Sequence, residues 1–359
     1  MSTMPSPLVV SFLQNGVIVS TDLETDDVLF MMQLCRWLDE GVHCPEIMVI
    51  VGEGKVLSKV YLAQHIMGRT DLVGSFHQGA TSDKPYPPEC VEAYTAISGA
   101  ASCSTQVDPD IEAKVVAFME RHPNATVFSL KPPRELFHVP SHSVFKDATM
   151  IAYGSFNWRS MLYCKERPVA PDALALFINT AFRRTIVFES HHALGGASNA
   201  ISASNESAAG LFEKIKADQR FSDLMRSWNR AVGVDCIDTI EELAGKMKDL
   251  YGAGNYDKLP EMFARMQRNV KPLETLFSGR DAQLLFADSL IGPMLNGDAP
   301  CFLTPCRLTF DANFYTVPGD TKENIGGADR SSIEGLPLGL CLVTGMTGKE
   351  VTSALENLF

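Results

Sequence analysis

Residues 18–30, IVSTDLETDDVLF, join a short β-branched run to the first turn of an apolar-periodic helix, and set three carboxylates, Asp22, Asp26 and Asp27, at the join. Val17, Ile18 and Val19 read as a buried strand, and Val28, Leu29, Met31, Met32, Cys35 and Trp37 give the following helix its apolar face. The turn between them lies at the carboxyl end of a strand, the edge on which open α/β sheets bind ligands. A carboxylate near a helix N-terminus gains roughly 0.3–1 kcal/mol from the helix dipole, which accounts for Asp26 and Asp27 but not for Asp22. With Glu24 these acids repel one another, and no Lys or Arg lies close by in the sequence. A bound hard cation is the ready way to keep such a group ionised and clustered.

The strand–turn–helix unit repeats downstream. EIMVIVGEG (46–54) predicts a second buried strand and KVLSKVYLAQHIMG (55–68) the helix after it; Leu72 and Val73 begin a third strand, followed by a Pro- and Gly-rich loop, HQGATSDKPYPPE. An amphipathic helix, PDIEAKVVAFMERH, precedes a fourth strand, ATVFSL (125–130), which runs into KPPREL, where Pro132 and Pro133 suit a first helical turn. DATMIAYG (147–154) is a fifth strand whose exit, SFNWRSM, carries Asn157 and Trp158 on the ligand edge. Residues 172–182 predict a buried helix and RRTIVFE (183–189) a sixth strand. Strands near CRLTFDANFYTV and LGLCLVTG and a helix from about Lys349 to Leu358 close the chain. The expected fold is α/β, a single large domain over residues 1–359 with a mostly parallel central sheet flanked by helices. The small polar residues at 191–210 read as a mobile loop, and 211–270 as a helical segment.

One later residue stands out. AQLLFADSLIGPML (282–295) reads as an almost uncharged helix with Asp288 inside it. A buried carboxylate without a partner costs several kcal/mol, so Asp288 must be paired, protonated or a metal ligand.

Composition narrows the partners. The formal charge of −12 and the lack of a long Lys/Arg run argue against nucleic acid or an anionic membrane surface, and favour a small molecule or another protein. No apolar run reaches the roughly 18 residues of a membrane span, and MSTMPSPLVVSFLQNG lacks the basic start and apolar stretch of a secretory signal, so a soluble cytoplasmic protein is expected. Nine cysteines without a CxxC read as reduced thiols rather than a zinc site or disulfide framework. His191 and His192, at a loop entrance, are acid–base candidates whose ordinary reading is a hydrogen-bonded loop element.

STDLETDD, placed after the first strand, resembles the DxDxxxDD signature of the nucleoside hydrolase family. SLKPPREL resembles that family's strand-end GPLTN segment, and ADSLIGPML is similar to the helix that supplies a late calcium ligand. The resemblance implies a nucleoside hydrolase-like fold and a calcium-dependent hydrolase of the N-glycosidic bond of a nucleoside or related N-riboside. It implies Ca²⁺ held by Asp22, Asp27, Asp288 and the Leu130 carbonyl, with Asp22 as the base on a metal-bound water and Asp26 on the ribose hydroxyls. Asn157 and Trp158 are the remaining substrate-binding candidates, Trp158 by stacking on the base. A homo-oligomer is implied as well. Ser20 stands where the signature has its first acid, Gly54 where the family has an asparagine, and Ala287 where some members have a histidine. These departures motivate an alternative: a catalytically inactive relative that binds a cation or small ligand. A dehalogenase-type phosphatase ranks lower, because its nucleophile would fall at Ser20.

Overall fold

The apolar runs marked as strands lie side by side in the computed structural model, which describes residues 5–52, 59–60, 63–64, 67, 76–79, 110–162, 167, 169–189, 193–194, 200–202, 209–218, 283–285, 288–309, 315–316 and 333–359. Strands β1 (Val17–Thr21), β2 (Ile47–Val51), β4 (Thr126–Ser129) and β6 (Arg184–Phe188) are buried along their whole length, and β5 (Thr149–Tyr153) along all but its last residue. Near-continuous burial is the mark of a parallel sheet covered on both faces. With β3 (Phe76–Gln78), β9 (Phe302–Pro305) and β12 (Gly339–Thr344) they form an eight-stranded sheet in the order β3-β2-β1-β4-β5-β6-β12-β9. Every pairing in it is parallel except that of β12 with the edge strand β9. The architecture is α/β with a mostly parallel sheet, as expected.

Alternate residues of each strand feed two cores, because successive strand side chains point to opposite faces. On one face Val17 and Val19 pack with helices α1 (Pro7–Leu13), α2 (Thr25–Asp39), α7 (Ala209–Ala217), α8 (Ile291–Asn296) and α9 (Gly348–Glu356). On the other, Ile18 packs with α3 (Ile111–Arg121), α4 (Arg134–Phe137), α5 (Ser155–Leu162) and α6 (Pro171–Thr180). Local signals fix two helix starts: Ser6 caps α1 by accepting the Val9 N–H, with Pro7 in the first turn, and Thr347 caps α9 by accepting the Glu350 N–H.

Several boundaries differ from those predicted. His77 and Gln78, assigned to the Pro-rich loop, belong to β3, a half-buried three-residue strand too short to show an alternating pattern. The predicted start at Leu72 lies outside the described residues. SFNWRSM, the exit of β5, is helical, being part of α5. Ala200–Ser202, within the stretch read as a loop, forms β7 and pairs antiparallel with β8 (Gln283–Leu285). That pairing displaces the helix predicted over 282–295: a 3-10 turn at Asp288–Leu290 follows, and α8 starts only at Ile291. Pro293 then falls in the first turn, where its missing N–H leaves no helical bond unmade. Beside β9, two short strands, β10 (Arg307–Leu308) and β11 (Tyr315–Thr316), pair antiparallel, and residues 219–282, with the predicted helices beyond α7, lie outside the described residues.

Candidate metal centre

The sheet order places the acidic turn. From β1 the chain steps outward to β2 and β3, then returns to β4 on the other side of β1, so the winding reverses between β1 and β4. At such a point the connections leave in opposite directions and open a crevice at the carboxyl ends of the strands. Ser20 and Ser129 are register partners across that boundary, and the Leu130 N–H donates to the Ser20 carbonyl at 2.8 Å. Asp22 and Leu130, one after β1 and the other after β4, therefore leave the sheet beside each other.

Asp27 organises the turn. Its Oδ2 accepts the Thr21 hydroxyl, the Asp22 N–H at 3.1 Å and the Leu23 N–H at 2.9 Å. Asp26 sits next to it in the first turn of α2, where the helix dipole favours a negative charge. The 3-10 turn carrying Asp288 packs on α2, and the Asp288 N–H donates to Asp26 Oδ2 at 3.4 Å. That approach depends on Gly292, where a Cβ would fall 2.9 Å from Gln33 Cγ on α2. Carboxylate oxygens of Asp26, Asp27 and Asp288 lie within 4.8 Å of one another, and all three residues are buried.

Burial and mutual repulsion act together on this trio. Burial, then the charge of Asp22, raises the Asp26 carboxyl from 3.8 to about 6. The Asp27 carboxyl is pushed well above its ordinary value by burial and then by Asp22 and Asp26, and that of Asp288 by burial and then by Asp27 and Asp26. Acids this close either share protons or share a cation. Asp288 Oδ1 is buried and accepts no hydrogen bond from the described residues, which leaves a lone pair for a ligand. The donor set is all hard oxygen, the chemistry of a Ca²⁺ or Mg²⁺ site rather than of zinc or copper. The trio fits a divalent cation.

Asp27 and Asp288 belong to the trio; Asp26, expected on a ribose, is its third member; Asp22 lies outside it, yet near enough to raise both neighbours on α2. The Leu130 carbonyl accepts the Asn157 side-chain N–H at 3.1 Å, and the same amide donates to the Tyr153 carbonyl at 3.2 Å. Asn157 thus ties the exits of β4 and β5 together. Trp158 is fully buried in the core of the α3–α6 face, because the helical path of α5 turns the indole inward. Comparison with known proteins finds no family model that matches the chain and no curated relative.

Three further groups at this edge are not among the acids of the motif. Lys59, fully buried, donates to the Asp22 carbonyl at 2.5 Å. Lys131, next to Leu130, is buried with Glu135, whose two carboxylate oxygens accept from its ammonium at 2.8 and 2.6 Å. Thr21 supplies the hydroxyl to Asp27. The available signal for the lysines was a charge inside an otherwise apolar or proline-rich run. His191 and His192 lie outside the described residues. No helix among the described residues is long and apolar enough to cross a membrane.

Proposed function

We propose that the protein is a calcium-dependent hydrolase of the N-glycosidic bond of a nucleoside or related N-riboside. The observation that carries the reading is the meeting of Asp26, Asp27 and Asp288 within 4.8 Å at the β1/β4 crevice, with Asp288 Oδ1 accepting no hydrogen bond from the described residues. Asp26, Asp27 and Asp288 would hold the ion, with the Leu130 carbonyl and Asp22 at its edge. When bound, the ion would lower the pKa of a coordinated water and orient a sugar hydroxyl.

The residues themselves supply the rest. Asp22, at the mouth of the turn, would accept a proton from the attacking water as its oxygen bonds to the anomeric carbon. The base would leave with the electron pair of the broken C–N bond and take up a proton from solvent, while the carboxylates stabilise the oxocarbenium-like sugar in between. Asp27, spent on the turn through one oxygen, keeps Asp22 in place. Incubating the protein with calcium and a panel of purine and pyrimidine nucleosides, and measuring free base and ribose, tests the reading; no release from any of them overturns it.

A second reading is favoured by one observation. Asn157 spends its side-chain N–H group on two backbone carbonyls and Trp158 is wholly in the core, so neither the Asn157 N–H group nor the Trp158 indole faces the crevice as a substrate contact. On that reading the same acids hold a cation without catalysis, and calcium stabilises the fold while every nucleoside is left intact.

A further inference from the structure

We propose that Lys59 is a positioning residue for the acidic turn that carries Asp22 and Asp27, locking one of its peptide planes; this rests on the reading of the trio as a cation centre. Leu23 has φ of +55°, the sole non-glycine residue in the left-handed region among those described. That conformation is disfavoured for a side chain with a Cβ and no local hydrogen-bonding group of its own, and persists only where the surroundings impose it. The peptide between Asp22 and Leu23 is pinned at both polar ends. Its N–H donates to Thr21 Oγ1 and to Asp27 Oδ2, each at 2.9 Å, and its carbonyl accepts the Lys59 ammonium at 2.5 Å.

Turning that plane over would exchange the two ends, and would free Leu23 from the left-handed region. It would also point the carbonyl at Asp27 and the N–H at an ammonium. Lys59 and Asp27 therefore act as a pair against the flip, which would break the Leu23 N–H bonds to Thr21 and to Asp27 Oδ2 and so loosen a carboxylate of the trio. An ammonium buried as deeply as Lys59 is costly to desolvate, so its contact with the Asp22 carbonyl is one the surrounding fold imposes.

Charge and position predict opposite outcomes. An ammonium near a divalent cation repels it, so a purely electrostatic Lys59 weakens cation binding and its removal tightens it. A positioning Lys59 strengthens binding, and its removal weakens it. The experiment titrates calcium chloride calorimetrically into the parent, Lys59→Met and Lys59→Arg, and follows amide hydrogen exchange of all three without calcium. The expected result is affinity about 10–100-fold weaker in Lys59→Met, the usual effect of losing a group that orients a ligand, and near-parental affinity in Lys59→Arg. Exchange should quicken over residues 21–28 in Lys59→Met and stay unchanged in β5. Equal or tighter calcium binding by Lys59→Met, unchanged protection of the turn, or protection lost alike in all strands each overturns the proposal. If the parent binds no calcium, the cation centre fails, while a local loss of protection still assigns the turn to Lys59.

Discussion

The backbone N–H of Asp288 donates to the carboxylate of Asp26 at 3.4 Å across 262 residues of sequence, and this contact closes the acidic trio. Asp288 also brings the charge that the trio can least accommodate, since its carboxyl is raised by burial and by both α2 acids. Asp288→Asn keeps the shape and the N–H and removes the charge. Without a cation, at about pH 7.5, the variant should be more stable than the parent by about 2 kcal/mol, because an amide can donate to Asp27 where a carboxylate repels it. Calcium should raise the melting temperature of the parent and leave that of the variant unchanged. Scanning calorimetry with chelator and with calcium reads both, and an equal calcium shift in the two proteins would remove Asp288 from the centre.

Stability without a cation should fall as pH rises. The Asp26 carboxyl is raised from 3.8 to about 6, and Asp27 and Asp288 move in the same direction. A carboxyl whose folded pKa is raised binds its proton more tightly in the folded state, so its contribution is fully present below the unfolded value and is lost as pH climbs through the folded one. The Asp26 shift alone corresponds to about 3 kcal/mol. In chelator the melting temperature should therefore drop between about pH 5 and pH 7.5. Calcium should restore it at the upper pH and do little at the lower, where protons compete for the same oxygens. A cation-free melting temperature that is flat or rising across this window contradicts the assignment.

Asp27→Ala tests the turn itself. Thr21, Asp22 and Leu23 all donate to Asp27 Oδ2, and truncation takes that acceptor from the Thr21 hydroxyl and the Asp22 N–H while the Leu23 N–H keeps Thr21 Oγ1. Leaving a buried donor unmade costs about 1–3 kcal/mol, and relief of repulsion with Asp26 and Asp288 offsets part of the sum. A net loss of about 3 kcal/mol is expected by urea unfolding in chelator, with Asp27→Asn losing less because its carbonyl oxygen still accepts. Parental stability in Asp27→Ala would show that the turn does not depend on this carboxylate.

The parallel sheet was legible because β1, β2, β4, β5 and β6 each carry a short apolar run, VIV, IMVIV, VF, MIA and IVF, and such runs alternating with amphipathic helices leave little choice of architecture. Asp22, Asp26 and Asp27 were legible because three acids in six residues with no nearby base demand an explanation. Their division of labour was not. Which acid closes the trio and which stands aside depends on where the turn of Asp288 docks on α2, a contact set by Gly292 and Gln33 rather than by any local pattern. Lys59 was hidden for the same reason: the missing base lies 37 residues along the chain, and the parallel pairing of β2 with β1 brings it back. Asp288 drew notice as a lone acid in an apolar run, yet its place before α8 rather than within it follows from the β7–β8 pairing, which no short-range signal announces.

Trp158 separates a core role from a ligand role. On the exit of β5 an indole could stack on a base, but within α5 it is fully buried among apolar side chains of the α3–α6 face. Trp158→Phe shortens the ring system and leaves a void, which should cost about 1–3 kcal/mol in unfolding free energy. If the protein cleaves a nucleoside, KM should stay within about twofold of the parent, since the ring is buried in the core, a difference of less than about 0.5 kcal/mol. Urea unfolding and steady-state kinetics on the same preparation decide the matter. A KM raised about tenfold with stability unchanged would return Trp158 to the binding site and would require α5 to open toward the crevice.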